Sequence, residues 1–158
     1  MKESTKPDLD KIDKKILKLL QQDGRISNAD LADKVNVSAA TCYRRTQRLI
    51  DLKIIQSVRA QVAPEAIELS ALVMVGVVLD RSTPESFSNF ETAIKKLSIV
   101  LSCYLVAGEF DYLLKIRAKD MTDFNKLHSD KLLALPEVRQ LRTYFVMKEV
   151  IENAPMPL

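Results

Sequence analysis

The sequence predicts an α+β chain in two parts: an N-terminal helix-turn-helix with an extended wing, then a ferredoxin-like β-α-β-β-α-β module. Three observations carry this. Up to residue 52, apolar residues recur at helical spacing in three blocks, the second short and set off from the third by Asn36-Val37. From residue 72 onward, β-branched apolar runs alternate with two helical patterns. The charge also changes sign: residues 1–63 hold 13 Lys and Arg against 8 Asp and Glu, net +5, whereas 64–158 hold 11 against 13, net −2. The domain boundary is placed between 63 and 64, at Pro64.

The elements follow in order. Asp8 reads as the cap of a first helix, whose face is Leu9, Ile12, Ile16, Leu19 and Leu20 and which stops at Asp23-Gly24. Ser27, with Asp30 three residues on, is a capping-box pattern opening a short helix with Leu31, Ala32 and Val35 inward. Ser38 caps the third helix, which runs to about Leu52. Beyond it, IIQSVRAQV reads as a strand pair or extended wing, in which Arg59 fits a phosphate contact or a plain exposed position equally.

The third helix is unusual in charge. From Ser38 to Ile50 it has no acid, and it carries Arg44, Arg45 and Arg48. Helix N-termini ordinarily favour an acid in the first turn; this one offers Ala39, Ala40 and Thr41, which let the N-terminus approach a phosphate. Ser38, Ala39, Thr41, Arg44, Arg45 and Arg48 are therefore the expected contacts to double-stranded DNA, since Arg forks onto guanine and Thr can meet a thymine methyl. The bland alternative is a solvated basic face. Cys42, Tyr43, Thr46, Leu49 and Ile50 are expected toward the core, with Cys42 a small buried filler.

In the second part, LVMVGVVL (72–79) reads as a strand buried on both faces. Pro84 opens a helix with Phe87, Phe90, Ile94 and Leu97 inward, and residues 99–107 form the next strand. Gly108 and Glu109 turn the chain into FDYLLKIRA, with Glu109 solvated and Asp111 on a mixed strand face. A helix over about 121–135 places Met121, Phe124, Leu127, Leu132 and Leu135 inward, with His128 near that face. Pro136 ends it, and the last strand is VRQLRTYFVMKEV. Both helices cover one face of the sheet, so the other must be buried elsewhere, most simply against another copy of the chain.

Several classes are excluded. No apolar run approaches the ~20 residues that span a bilayer, and the N-terminus has no secretory h-region. Two separated cysteines, Cys42 and Cys103, and one histidine fit a reduced, cytoplasmic protein with no metal site and no cofactor. No nucleophile elbow, P-loop or dinucleotide fingerprint occurs, so no enzyme is expected.

LDKIDKKILKLLQQDGRISNADLADKVNVS, GEFDYLLK and LPEVRQLRTYFVMKEV together resemble the Lrp/AsnC family of bacterial and archaeal transcription regulators, over almost the whole chain. The resemblance implies a nucleoid-associated, sequence-specific regulator, dimeric and assembling further toward octamers. It also implies a small amino acid bound between subunits of the second module; an effector-independent architectural DNA binder of the same fold is the alternative. On this resemblance the turn at Gly108 offers amide donors to the ligand carboxylate and Asp111 takes its ammonium. Leu105, Met121, Leu133, Tyr144, Phe145 and Val146 line the side-chain site, favouring Leu, Met, Ile or Val. The alternative for Asp111 is a neighbouring subunit's Arg or backbone amides. Two departures stand out: Asn36 and Lys53 occupy positions where the family usually has glycine.

Overall fold

The computed structural model describes residues 8–158. It divides into two compact units: one runs to Gln61 and includes Ile151–Leu158, the other is Val62–Val150. The division falls two residues before the expected boundary, and the last eight residues join the first unit. There the Gln21 side chain donates to the Met156 carbonyl at 3.2 Å and accepts from the Met156 N–H at 2.7 Å.

The first unit is built from α1 (Lys11–Gln22), α2 (Asn28–Val35) and α3 (Ala39–Asp51). Their apolar stripes meet at Ile16, Leu17, Leu31, Ala32, Val35, Cys42 and Leu49, all buried. The cap of α1 is Asp10, not Asp8: its carboxylate accepts from the N–H groups of Ile12 and Asp13 at 2.9 and 2.8 Å. The capping box of α2 forms as expected, with the Asp30 N–H donating to Ser27 Oγ and the Ser27 hydroxyl donating back to the Asp30 carboxylate. Asn36 ends α2 in the left-handed region (φ 57°), which a short polar side chain tolerates. The Asn28 side chain then donates to the Ala39 carbonyl at 2.9 Å, tying the start of α2 to the start of α3.

Past α3 the wing departs from expectation. Residues 56–63 form no strand; they are an exposed segment without regular secondary structure. Val58 nonetheless lies over Gly24, where an added Cβ would come within 2.8 Å of Val58 Cγ1. The glycine of the DG turn is thus also needed for close approach.

The second unit is a four-stranded antiparallel sheet in the order β2-β3-β1-β4, with β1 Ala71–Leu79, β2 Val100–Leu105, β3 Tyr112–Ala118 and β4 Val138–Phe145. With α4 (Pro84–Ile94) and α5 (Met121–Leu127) this is the ferredoxin-like arrangement. β1 is central and paired on both edges, which explains its continuous apolar run. Val73, Val75, Val77 and Leu79 join Leu114, Ile116, Phe90, Ile94, Phe124 and Leu132 in one core. At about 1.5–3 kcal/mol per fully buried apolar side chain, this layer holds the unit together. Tyr112 is also enclosed, and its hydroxyl donates to Glu91 at 2.8 Å; burial first, then that carboxylate, push its phenol well above the usual range.

Three details differ from the sequence expectation. The second helix changes character at His128, where a π-helical turn, His128–Leu132, follows α5. Met121 opens α5 at 58% exposure instead of pointing inward. The last strand stops at Phe145; beyond it, Glu149 forms a bidentate pair with the nearly buried Arg117 at 2.7 and 2.8 Å.

Lys53 follows α3 in the left-handed region (φ 58°), with its N–H donating to the Ile50 carbonyl. A side chain in that region is disfavoured by about 1–2 kcal/mol. Part of this gain is offset by the greater unfolded-state freedom of glycine. Lys53→Gly is therefore expected to stabilise the first unit by about 0.5–1 kcal/mol, read as a higher denaturant midpoint at unchanged slope.

Candidate functional site

The sequence set on α3 separates into three roles. Ser38 is the N-cap: its hydroxyl oxygen accepts from the Thr41 N–H at 3.2 Å and its hydroxyl donates to Thr41 Oγ1 at 2.9 Å. Ser38 and Thr41 thus build the helix start, leaving Ala39 exposed beside it. Arg44 is exposed and makes no hydrogen bond or ion pair among the described residues. Arg45 and Arg48 are held.

What holds them is a residue the sequence reading passed over. Asp13, in the first turn of α1, is only 1% exposed. One of its oxygens accepts from Arg45 Nη1 at 2.9 Å, the other from Arg48 Nη1 at 3.2 Å. Arg45 Nη1 also reaches Asp10 at 2.7 Å, and Arg48 Nη2 donates to the Asp8 carbonyl at 3.4 Å. The Asp13 N–H and then the Arg45 guanidinium hold the Asp10 carboxyl below its ordinary value. The same two acids, Asp10 foremost, push Arg45 still further from deprotonation. A buried carboxylate is costly unless paired, and the N-terminus of α1 adds a favourable dipole. The signal was available: an acid at a position where the apolar stripe of α1 should continue.

The core side of α3 is narrower than expected. Cys42 and Leu49 are buried, and burial pushes the Cys42 thiol up, so it stays a neutral filler. Tyr43 is 63% exposed and Ile50 38%, so neither points into the core.

The effector set is distributed over the second unit. Leu105 ends β2, exposed, and its register partner Tyr112 places it on the helix-covered side. Met121 and Leu133 are exposed on the helical segments, while Phe145 packs edge-on against Phe124 at 5.4 Å. Tyr144 lies on the opposite, open face, in register with Met74. The Val146 N–H donates to the Leu72 carbonyl at 3.0 Å. Within one chain, then, the sheet separates Tyr144 from Phe145.

The turn after β2 is more constrained than a plain hairpin. Gly108 adopts φ 148°, with open space where a Cβ would stand. Asp111 precedes β3; its N–H donates to the Val77 carbonyl at 2.9 Å and its Oδ2 accepts from the Leu79 N–H at 2.8 Å. The backbone-amide alternative for Asp111 is thus realised at one oxygen; Oδ1 makes no bond among the described residues. Glu109 is not free in solvent but ion-paired with Arg142. Phe110 folds over the open face at Gly76, where any Cβ would fall 2.6 Å from its ring. Arg142 sits 5.9 Å above that ring, and Tyr144 meets it edge-on at 6.2 Å.

Asp13→Ala leaves both arginines without their buried acceptor. Breaking a buried pair costs about 3–5 kcal/mol. Arg48 reaches water, so the expected loss is nearer the low end of that range. Urea unfolding followed by helical circular dichroism would measure it.

Comparison with known proteins agrees with this architecture. Residues 9–50 match the AsnC-type helix-turn-helix domain, and residues 72–156 match the Lrp/AsnC ligand binding domain. The chain is 45% identical over 146 residues to the leucine-responsive regulatory protein of Escherichia coli K12, covering 92% of this chain and 89% of that one. A transcriptional regulator of Neisseria meningitidis, solved as an L-Met complex, superposes with a TM-score of 0.90 at 34% identity, over 95% of this chain and 97% of that chain. A feast or famine regulatory protein of M. tuberculosis, complexed with L-methionine, superposes at 0.83 with 25% identity, over 92% and 96%. An acid-poor third helix behind a short capped one, a ferredoxin-like sheet, and these matches lead to one conclusion: the chain belongs to the Lrp/AsnC family of DNA-binding transcription regulators.

Proposed function

We propose that α3 enters the major groove of duplex DNA, with the helix start at Ser38 and Ala39 approaching phosphate and Arg44 and Arg48 supplying positive charge. The observation that carries this is the exposed Arg44, unpaired among the described residues, on a helix with no acid before Asp51. Such contacts release counterions, so log affinity falls with log salt at about 0.9 per phosphate neutralised. In a gel shift on the chain's own promoter, Arg44→Ala is expected to weaken binding. A wild-type chain with no salt-sensitive complex would sink the reading.

The second unit, in this reading, binds a small apolar amino acid where subunits meet. Tyr144 and Phe145 face opposite sides of one sheet, so they can share a ligand only across neighbouring copies. The open face, with Met74 and Leu113 half-buried and Tyr104 and Tyr144 exposed, is proposed to pack on a second copy. The remaining Asp111 oxygen suits an ammonium, and the backbone at Gly108 suits a carboxylate. Support comes from the L-methionine bound by the Neisseria regulator. The finer effector choice falls among Leu, Met, Ile and Val, and the protein acts in the cytoplasm on chromosomal DNA.

A thermal-shift screen of the amino acids tests this. A binder at 100 times its Kd is expected to add about 2.7 kcal/mol of stability, with apolar amino acids ranking first. A flat response to all of them favours an effector-independent architectural regulator.

A further inference from the structure

We infer that α3 reads base sequence through Tyr43, Arg44 and Gln47, whereas Arg45 belongs to the scaffold; this rests on the proposed docking of α3 on DNA. The helix turns about 100° per residue, and Cys42 and Leu49 mark its inward direction. Opposite them, Arg44 and Gln47 lie within about 30° of the outward line, with Ala40 between them. Tyr43 and Arg48 flank that face at about 70° on either side, and Arg45 lies only about 50° from the core direction.

Burial and bonding agree with that placement. Arg45 shares Nη1 between Asp10 and Asp13, and its Nε is buried without a partner among the described residues. Turning it toward a base would leave Asp13 with Arg48 alone. Arg44 has no such tie and can fork onto the O6 and N7 of guanine. Gln47 Nε2 donates one hydrogen to Asp51 at 3.0 Å, which orients the amide. Its second N–H and its carbonyl remain for the N7 and N6 of adenine. Tyr43 presents an exposed ring suited to a thymine methyl. Ala40, small and outward, lets the helix axis come close.

The deciding experiment selects binding sites from randomised duplex DNA with the full chain and with Tyr43→Ala, Arg44→Ala, Gln47→Ala and Arg45→Lys. Each of the first three is expected to lose preference at one or two motif positions. The ratio of selected to scrambled affinity should fall about tenfold in each, within the discrimination of a bidentate base contact. Arg45→Lys should select the wild-type motif, with its effect seen in thermal stability. Wild-type motifs from two or more of the first three variants would overturn the inference, as would a rewritten motif from Arg45→Lys. Should Arg45→Lys not fold, the three face variants decide alone. A wild-type chain that binds DNA with normal salt dependence but selects no motif overturns this inference and leaves the DNA-binding reading intact. A wild-type chain that binds no duplex overturns both.

Discussion

The helix-turn-helix unit depends on one buried charge. Asp13 sits in the first turn of α1, almost without solvent, and it is stable there only because two guanidiniums from α3 reach it. That requirement fixes the rotation of α3 about its own axis. If α3 turned by one residue, Arg45 would leave Asp13 and the Cys42–Leu49 stripe would leave the core. A polar clamp and an apolar stripe therefore specify the same helix orientation from opposite sides. Apolar packing alone leaves rotation loosely defined, because neighbouring side chains of similar size can exchange places.

The second unit is organised by the double pairing of β1. A strand with partners on both edges exposes its two faces only, and here α4 and α5 cover one of them. On the other face Gly76 admits the Phe110 ring, with Arg142 and Tyr144 against it and Glu109 neutralising the arginine. Asp111 then pins the incoming chain to the end of β1 through both its N–H and its carboxylate. The turn at Gly108 is thereby held in a fixed position relative to the sheet. A loop anchored in this way can present backbone amides without the ordering cost of a free loop.

Much of this was legible in the sequence. Periodicity located all three N-terminal helices, Ser27 and Ser38 marked the caps of the second and third, and the βαββαβ order emerged from alternating apolar runs. Lys53 adopts the left-handed region at a position where the family usually has glycine. The misses have physical causes. Asp8 and Asp10 are both capable caps, and only the geometry of Ile12 and Asp13 chooses between them. Met121 and Tyr43 fit helical apolar patterns, yet a helix wheel needs its inward direction, which only buried residues such as Leu49 supply. The wing at 56–63 has strand composition, but a strand needs a partner, and the local sequence cannot say where one lies. A local pattern can mark an acid on an apolar stripe, as at Asp13, but it cannot name the partner: Asp13 with Arg45 and Glu109 with Arg142 meet only in the fold.

Holding arginines on a carboxylate has a consequence for recognition. Free arginines on a DNA-facing helix strengthen contact to every phosphate alike, and that gain carries no sequence information. Specificity is a difference between affinities, so withdrawing charge from the sequence-blind term sharpens it. On the DNA docking proposed above, Asp10 and Asp13 would do this to Arg45 while leaving Arg44 available. The arrangement is stable across physiological pH. Asp10 is held below its ordinary value of 3.8, so its contribution is complete above that value and is lost only as pH falls through the lower folded value. Which arginine is held on this face is thus a matter of geometry.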